Sequence, residues 1–214
     1  MKMFRSFVIA LTMICCLAPG VAAQDNIASV DFVRASGGVG FKGGTFGVPN
    51  FLLDQFLYEY PEISGQSVAF EIRSYGDRGT QSTITRVYGF EYSSLSGEGP
   101  WREKEHHQPK MGMGEATQFS FTVTWLINMF PSWTVHPYIG GGIGIGRVTF
   151  WAEGSYTDPG SGYEIKETYN ENLFVPVLHI PIGITATLGD RAELRVEGGF
   201  KNGFYFGGAL AYLF

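Results

Sequence analysis

The feature that most constrains this chain is a period-two alternation of apolar and polar residues, repeated in eight segments of about ten residues. In the seventh segment, Leu194 and Val196 share one face, and Glu193, Arg195 and Glu197 share the other. Successive side chains of a β-strand point to opposite faces, so each segment predicts a strand with one apolar and one polar side. No stretch beyond the N-terminal residues approaches the roughly 18 apolar residues of a transmembrane helix. The alternation therefore predicts membrane-spanning strands and excludes a helical membrane protein.

Long and short connections alternate between the eight predicted strands. The strands are 31–41, 68–75, 83–92, 118–129, the glycine-rich stretch around 139–146, 178–188, 193–200 and 204–214. Short turns lie at 76–80, 131–134 and 189–190, and long segments lie at 42–66, 97–117 and 153–172. A barrel in an outer membrane has short periplasmic turns, long outer loops and an even number of strands. The sequence thus predicts an all-β fold, an eight-stranded antiparallel up-and-down transmembrane β-barrel.

The glycine-rich stretch suggests a phosphate-binding loop, but its spacing does not match G-x-G-x-x-G, and the RVTFWAEGSY that follows favours a strand. Alternate glycines lie on the predicted inner face of this strand: Gly140, Gly142, Gly144 and Gly146. The interior of an eight-stranded barrel is just wide enough to be filled by side chains, so we expect these glycines to make room for long side chains across the lumen. Arg147 falls on the face of Ile145, which predicts a bulge in this strand.

The first 23 residues have the composition of a secretory signal peptide. Lys2 and Arg5 precede an apolar run, which ends in a Pro-Gly pair and small residues. We predict a cleaved signal peptide over residues 1–23 and a barrel domain over residues 24–214. Both cysteines lie inside the predicted signal peptide, so the mature chain is expected to have no disulfide and no thiol chemistry.

Charge is scarce in this sequence, and its balance is acidic. Only 16% of the residues are charged, whereas soluble proteins carry about a quarter. The 20 acidic residues outnumber the 15 basic ones, and this balance argues against a nucleic-acid partner.

The end of the chain resembles a known family. The closing stretch FYFGGALAYLF places Leu210, Tyr212 and Phe214 at alternate positions, and it resembles the C-terminal strand by which the barrel-assembly machinery recognises bacterial outer-membrane barrels. The stretch HPYIGGGIGIG is similar to the strands of small OmpA-like barrels. The resemblance implies the outer membrane of a Gram-negative bacterium, contact with outer-membrane lipid and lipopolysaccharide, and an assembly signal formed by those three residues.

Seven charged residues fall on the predicted lumenal faces: Arg34, Glu71, Arg73, Glu91, Glu193, Arg195 and Glu197. We predict that they form an ion-pair network that plugs the barrel in place of an apolar core, because eight strands leave little free lumen. The expected protein is a largely non-conducting monomer without a cofactor or an enzymatic activity. Its role would be structural, or one of surface interaction through the outer loops.

Two outer segments carry further candidate features. The first, PNFLLDQFLYEYPE, is expected either to form a short helix lying on the outer leaflet or to pack over the barrel mouth. Its apolar residues are Phe51, Leu52, Phe56 and Tyr60. The second, REKEHHQPK, offers metal-binding side chains without the spacing of a zinc site, so a solvated loop is preferred. These side chains belong to Glu103, Glu105, His106 and His107.

Two other classes of function stay open. A lipid-modifying hydrolase or acyltransferase needs a serine beside a base, as Ser132 with His136 or Ser94 with His106, but neither pair forms a recognisable motif. A transporter would pass small hydrophobic molecules through a lateral gap, and the apolar first loop is its only support. His179 falls among inward threonines and is expected to be a hydrogen-bonded lumenal residue, not a catalytic one.

Overall fold

The strands of the protein follow the alternation and extend beyond it. A computed structural model describes residues 35–48, 50–55, 57–103, 110–157, 160–189 and 191–214. The elements in these ranges are β1 (Gly37–Gly47), a helical turn α1 (Asn50–Leu53), β2 (Leu57–Glu59), β3 (Ser64–Tyr75), a 3₁₀ turn (Gly79–Gln81), β4 (Ile84–Glu103), β5 (Lys110–Asn128), β6 (Val135–Thr157), β7 (Glu164–Leu188), β8 (Ala192–Lys201) and β9 (Phe204–Leu213).

Eight of these strands close into a ring. Each pairs antiparallel with the next along the chain, from β1 with β3 through to β8 with β9, and β9 pairs back with β1. Beyond the last paired residues of this seam, Gly37 and Phe214 exchange two backbone hydrogen bonds of 3.0 and 2.9 Å. The predicted eight-stranded antiparallel up-and-down barrel is therefore confirmed, and β2 is an additional short strand on the edge of β4.

The outer surface of the ring is apolar. Phe41, Phe119 and Phe206 expose 64–72% of their surface, and large apolar side chains are exposed on every strand of the ring. Water disfavours such a continuous apolar surface, whereas the hydrocarbon of a bilayer accommodates it, so the ring is a transmembrane barrel. Within the described ranges, no helix is long and apolar enough to cross a membrane.

The outer parts of β4 to β7 correct the predicted loops. Segments 97–117 and 153–172 were expected to be connections, but β4 pairs with β5 as far as Trp101 and Lys110, and β6 pairs with β7 as far as Thr157 and Glu164. A strand needs only about 9–11 residues to cross a bilayer. These strands therefore continue past the apolar belt as a protruding sheet (97–103, 110–117, 149–157 and 164–174). Both faces of this sheet lie outside the belt, so the period-two hydrophobic signal is absent there although the backbone pairing continues.

The first loop is folded against this protruding sheet. Leu57 in β2 pairs with Glu103 of β4, and Pro61 lies against Gly99. The Tyr60 hydroxyl donates a 2.6 Å hydrogen bond to Asp54, which raises the pKa of Tyr60. The expected helix is only the single turn α1. The prediction that its apolar side chains lie on the outer leaflet concerns Phe56, which lies outside the described residues, and the side chains of Phe51 and Leu52, which are not described either.

The candidate metal ligands of the second loop fall mostly outside the described ranges. Glu105, His106 and His107 lie there, and Glu103 is the last residue of β4. Among the described residues, no group of three or more His, Cys, Asp or Glu side chains could hold a metal ion.

The glycine-rich part of β6 packs closely against its neighbours and contains no bulge. Its register with β5 is continuous, and Arg147 pairs with Phe119 and points outward, so the predicted bulge is wrong. The long Arg147 side chain tolerates this face because it reaches towards Asn172, where Nη2 and Oδ1 lie 3.5 Å apart. A Cβ at Gly140 would lie 2.9 Å from Pro181 Cγ.

The atoms that a Cβ at Gly142 or Gly144 would meet belong to the neighbouring strand β5. These glycines therefore let β6 approach β5 closely. The placement of long lumenal side chains over them stays a prediction.

Gly142→Ala should destabilise the barrel by about 1–3 kcal/mol, the usual cost of overpacking a well-packed interior. Its new methyl group would lie 2.7 Å from the Val123 carbonyl oxygen and 2.8 Å from Thr124 Cα, and these backbone atoms cannot move aside cheaply. The matched control is Gly141→Ala, because a Cβ at the outward-facing Gly141 has no neighbour within 4 Å. Urea unfolding from lipid vesicles measures both variants, and equal midpoints would contradict the close approach.

Candidate functional site

The lumen contains the charged residues that the alternation placed on inner faces. Glu193, Arg195 and Glu197 point inward from β8, and Arg195 and Glu197 are at most 2% exposed. Glu71 and Arg73 point inward from β3, as Glu91 does from β4, and all three are buried. Arg34 lies outside the described residues. The fold therefore brings six of the seven predicted lumenal charges together.

Two lysines complete this set, and the sequence interpretation had assigned both to connections. Lys42 and Lys201 are buried, at 4% and 5% exposure, and both point into the lumen. The signal that identifies them is the same period of two: Lys42 continues the inner face of Gly38 and Gly40, and Lys201 continues the face of Glu197. They were missed because the first predicted strand ended at residue 41 and the seventh at residue 200.

The eight described charges form one continuous series of contacts in which the sign alternates. In order, they are Glu193, Arg73, Glu71, Arg195, Glu197, Lys42, Glu91 and Lys201. We call this series the lumenal charge chain. It begins at the second residue of β8 and ends at the last, so it extends along the whole length of that strand.

The half of the lumenal charge chain near the β7–β8 turn is built on arginine. Arg73 pairs with Glu193 through Nη1 and with Glu71 through Nη2 at 3.0 Å. Arg195 pairs with Glu71 at 2.6 Å. Its Nε lies 2.9 Å from Glu197 Oε2, as an ion pair without hydrogen-bond alignment. Each arginine therefore lies between two carboxylates.

The half near the β8–β9 turn is built on lysine. Lys42 Nζ lies 2.7 Å from Glu197 and 3.8 Å from Glu91, and Lys201 Nζ lies 3.1 Å from Glu91. Lys42 Nζ also lies 4.2 Å from the centre of the Tyr205 ring. A buried charge is tolerated only when it is paired and hydrogen-bonded, and these contacts meet that condition.

Buried hydroxyl groups supply further hydrogen bonds to the carboxylates. Tyr75 donates to Glu193 at 2.9 Å, and both Tyr138 and Tyr205 donate to Glu197, at 2.5 and 3.2 Å. These tyrosines lie on the lumenal faces of β3, β6 and β9. Tyr138 and Tyr205 thereby link the charge chain to β6 and β9, which contribute no charge of their own to it.

A second buried series of hydrogen bonds passes through His179. Its Nδ1 lies 2.9 Å from the Thr124 hydroxyl, and its Nε2 lies 2.8 Å from the Tyr205 hydroxyl. Because Tyr205 uses its proton for Glu197, it accepts from Nε2–H, and Nδ1 accepts from Thr124. His179 therefore has a hydrogen bond at each ring nitrogen.

The other sequence-predicted residues lie away from the lumenal centre. His136 Nδ1 donates to the Trp133 carbonyl oxygen at 3.0 Å, so this nitrogen serves the β5–β6 turn. Leu210, Tyr212 and Phe214 all expose more than half of their surface on the outer side of β9 and just beyond its end.

The fold and the lumen together define the class of the protein: an eight-stranded transmembrane β-barrel with a charged lumen. No family model and no curated protein matches the sequence.

Comparison with solved structures finds matches of low sequence identity. Neisserial surface protein A has a TM-score of 0.46 and 9% identity, over 83% of this chain and 96% of that chain. Ail of Yersinia pestis, in complex with the heparin analogue sucrose octasulfate, has a TM-score of 0.44 and 10% identity, over 84% of this chain and 99% of that chain. The N-terminal β-barrel domain of Pseudomonas aeruginosa OprF has a TM-score of 0.29 and 11% identity, over 84% and 98%.

Arg195→Ala should lower the free energy of unfolding by about 3–5 kcal/mol, because it leaves the buried carboxylates of Glu71 and Glu197 without their shared cation. The control is Arg102→Ala. Its 3.8 Å pair with Glu59 is about two-fifths exposed, and such pairs contribute only about 0–1 kcal/mol. Urea titration in lipid vesicles compares the two, and similar midpoints would show that water solvates the lumen.

Proposed function

We propose that the protein is a non-conducting outer-membrane barrel that presents its protruding sheet as an interaction surface on the outside of the cell. The single observation that carries this proposal is the lumenal charge chain. Its paired side chains lie in the narrow interior of an eight-stranded ring, and because such a ring is only wide enough to be filled by side chains, we expect them to leave no continuous water path.

The apolar belt and the sequence supply the location. The belt fits the hydrocarbon of a bilayer, and the predicted signal peptide (residues 1–23) directs export. We place the mature chain (residues 24–214) in the outer membrane of a Gram-negative bacterium, as a monomer in contact with lipid and lipopolysaccharide. In this orientation the short β5–β6 and β7–β8 turns lie in the periplasm, and the protruding sheet lies outside.

The alternatives of catalysis and transport receive less support from the described residues. Both nitrogens of His179 are engaged in the lumen, by a threonine and a tyrosine, and His136 binds a backbone carbonyl. Every neighbouring pair of strands in the ring is hydrogen-bonded, whereas a lateral path for hydrophobic molecules needs an opening in the wall. We therefore favour a role in interaction over either alternative.

Purified protein in a planar lipid bilayer should show no stable single-channel conductance. The double variant Lys42→Ser with Glu197→Ser should conduct, because it removes two large side chains from the charge chain and keeps its formal charge balanced. Stable conductance of the unaltered protein would refute the closed lumen. That measurement decides the question even if the variant folds poorly.

Variants of Phe214 distinguish a role as an assembly signal from a role in closing the seam between β1 and β9. Deletion of Phe214 should impair insertion into the outer membrane without affecting secretion, and Phe214→Ala should do the same although it keeps the two backbone hydrogen bonds to Gly37. Phe214→Tyr, which keeps an aromatic ring, should assemble normally. The folded fraction in outer-membrane extracts measures the effect. Normal assembly of Phe214→Ala would assign the role to the backbone closure and remove the proposed signal.

A further inference from the structure

The two edges of the protruding sheet differ. The edge formed by β4 is covered, because β2 pairs with Arg102 and Glu103, and Pro61 and Ile63 pack against the neighbouring Gly97. Among the described residues, the edge formed by β7 has no such cover. β8 pairs with β7 only from His179 onward, and within the described ranges no strand pairs with segment 164–174 on that side.

The side chain of Asn202 marks the end of the covered part of β7. Its amide donates to the Pro176 carbonyl oxygen at 2.8 Å and accepts from the Leu178 backbone N–H at 3.1 Å. These bonds occupy the β8-facing side of β7 just beyond the last residue of β8. They also establish that the even-numbered residues of β7 direct their backbone groups to this side, since alternate residues of a strand direct them to opposite edges.

The uncovered edge therefore presents backbone donors and acceptors at every second residue. These are Glu164, Lys166, Thr168, Asn170, Asn172 and Phe174. Proteins usually protect an edge strand with proline, a bulge or charged side chains, especially lysine. Segment 164–174 has no proline, its pairing with β6 has no register shift, and its only lysine is Lys166. Apart from its charged side chains the edge carries none of these protections, and its register is regular, so it can accept a strand of complementary charge.

The side chains along this edge indicate the chemistry of that strand. Glu164, Glu167 and Glu171 outnumber Lys166, and Glu153 of β6 lies directly across from Thr168. On one face of β7, Ile165, Tyr169 and Leu173 alternate with two of these glutamates. A complementary strand would place basic residues beside the glutamates and apolar residues beside the others.

We infer that the free edge of β7 (164–174) binds an extended, lysine- or arginine-bearing segment of another protein by β-strand addition. This inference rests on the proposed function, because it requires the protruding sheet to face outward. Backbone hydrogen bonds from the even-numbered residues supply the affinity, and the surrounding glutamates select for positive charge.

The geometry of the barrel excludes a second copy in the same membrane as this partner. Antiparallel pairing of two identical edges requires a two-fold axis perpendicular to the sheet. In a barrel wall, that axis lies in the membrane plane. Parallel pairing requires an axis along the strands, which tilt by about 35–45° from the barrel axis. Copies in one membrane are related by an axis along the membrane normal, so neither pairing is available to them.

Amide hydrogen exchange of the full chain in lipid nanodiscs tests the inference. The probe is an eleven-residue peptide with threonine at every second position and with valine and lysine taking turns at the positions between, so that one face presents valine and lysine alternately to Ile165, Glu167, Tyr169, Glu171 and Leu173. Without the peptide, the amides of Thr168, Asn170 and Asn172 should exchange quickly, whereas Tyr169 and Glu171, which face β6, should already exchange slowly. Saturating peptide should slow the three even-numbered amides by about tenfold or more and leave the other two unchanged. Unchanged exchange of the even-numbered amides would overturn the inference.

Two controls separate backbone pairing from charge. Thr168→Pro removes one edge N–H and leaves the β6-facing groups in place, so it should weaken binding at least about tenfold, whereas Thr168→Val should bind like the unaltered protein. The same peptide with glutamate in place of each lysine should not bind. Equal binding of the two Thr168 variants would overturn the strand addition, and equal binding of the two peptides would overturn the selection for charge. Neither result alters the bilayer conductance, so the closed lumen is tested separately.

Discussion

The lumenal charge chain is the constraint on which the rest of the structure depends. Four carboxylates and four cations lie buried in the described lumen, and each is paired with at least one residue of the opposite sign. They come from β1, β3, β4 and β8, so the chain connects both sides of the β1–β9 seam. A slip of one residue in any of these strands would move its charges onto the lipid-facing side. The charges therefore specify the register as well as filling the barrel.

The glycines serve the same narrow interior in a different way. The inward glycines of β6 leave few lumenal side chains on that strand, so β5 and β7 can lie close to it. Gly140 leaves space for the buried ring of Pro181 on β7. Pro181 cannot donate a backbone hydrogen bond, and the β6–β7 pairing is interrupted beside it. One wall is thus nearly bare, while the charged side chains extend from the strands around β1 and β8. This asymmetry lets eight strands enclose residues as large as arginine and tyrosine.

The two parts of the long strands lie in different surroundings, and this difference supports the proposed role of the sheet outside the membrane. Within the belt, the lumen is occupied by paired charges and the outer face is covered by lipid. Above the belt, β4 to β7 continue as a sheet with one covered edge and one open edge. Asn202 lies at the boundary, where its side chain replaces the backbone partners that β8 no longer provides. The open edge of β7 therefore begins at a defined point, where the side-chain hydrogen bonds of Asn202 end.

The sequence by itself determined the strand number, the closed ring and the side of the wall on which Glu71, Arg195 and Glu197 lie, because a half-lipid, half-lumen strand must alternate with period two. It did not determine where the strands end, since pairing beyond the belt is made by backbone groups that leave no hydrophobic pattern. Lys42 and Lys201 were missed because the predicted strands ended one residue before each of them, although both lysines continue the same alternation. Only the tertiary structure decided which charges touch, that His179 is held by Thr124 and Tyr205, and that one edge of β7 is open. Those contacts depend on the stagger between strands, which is a property of the closed ring and of no single segment.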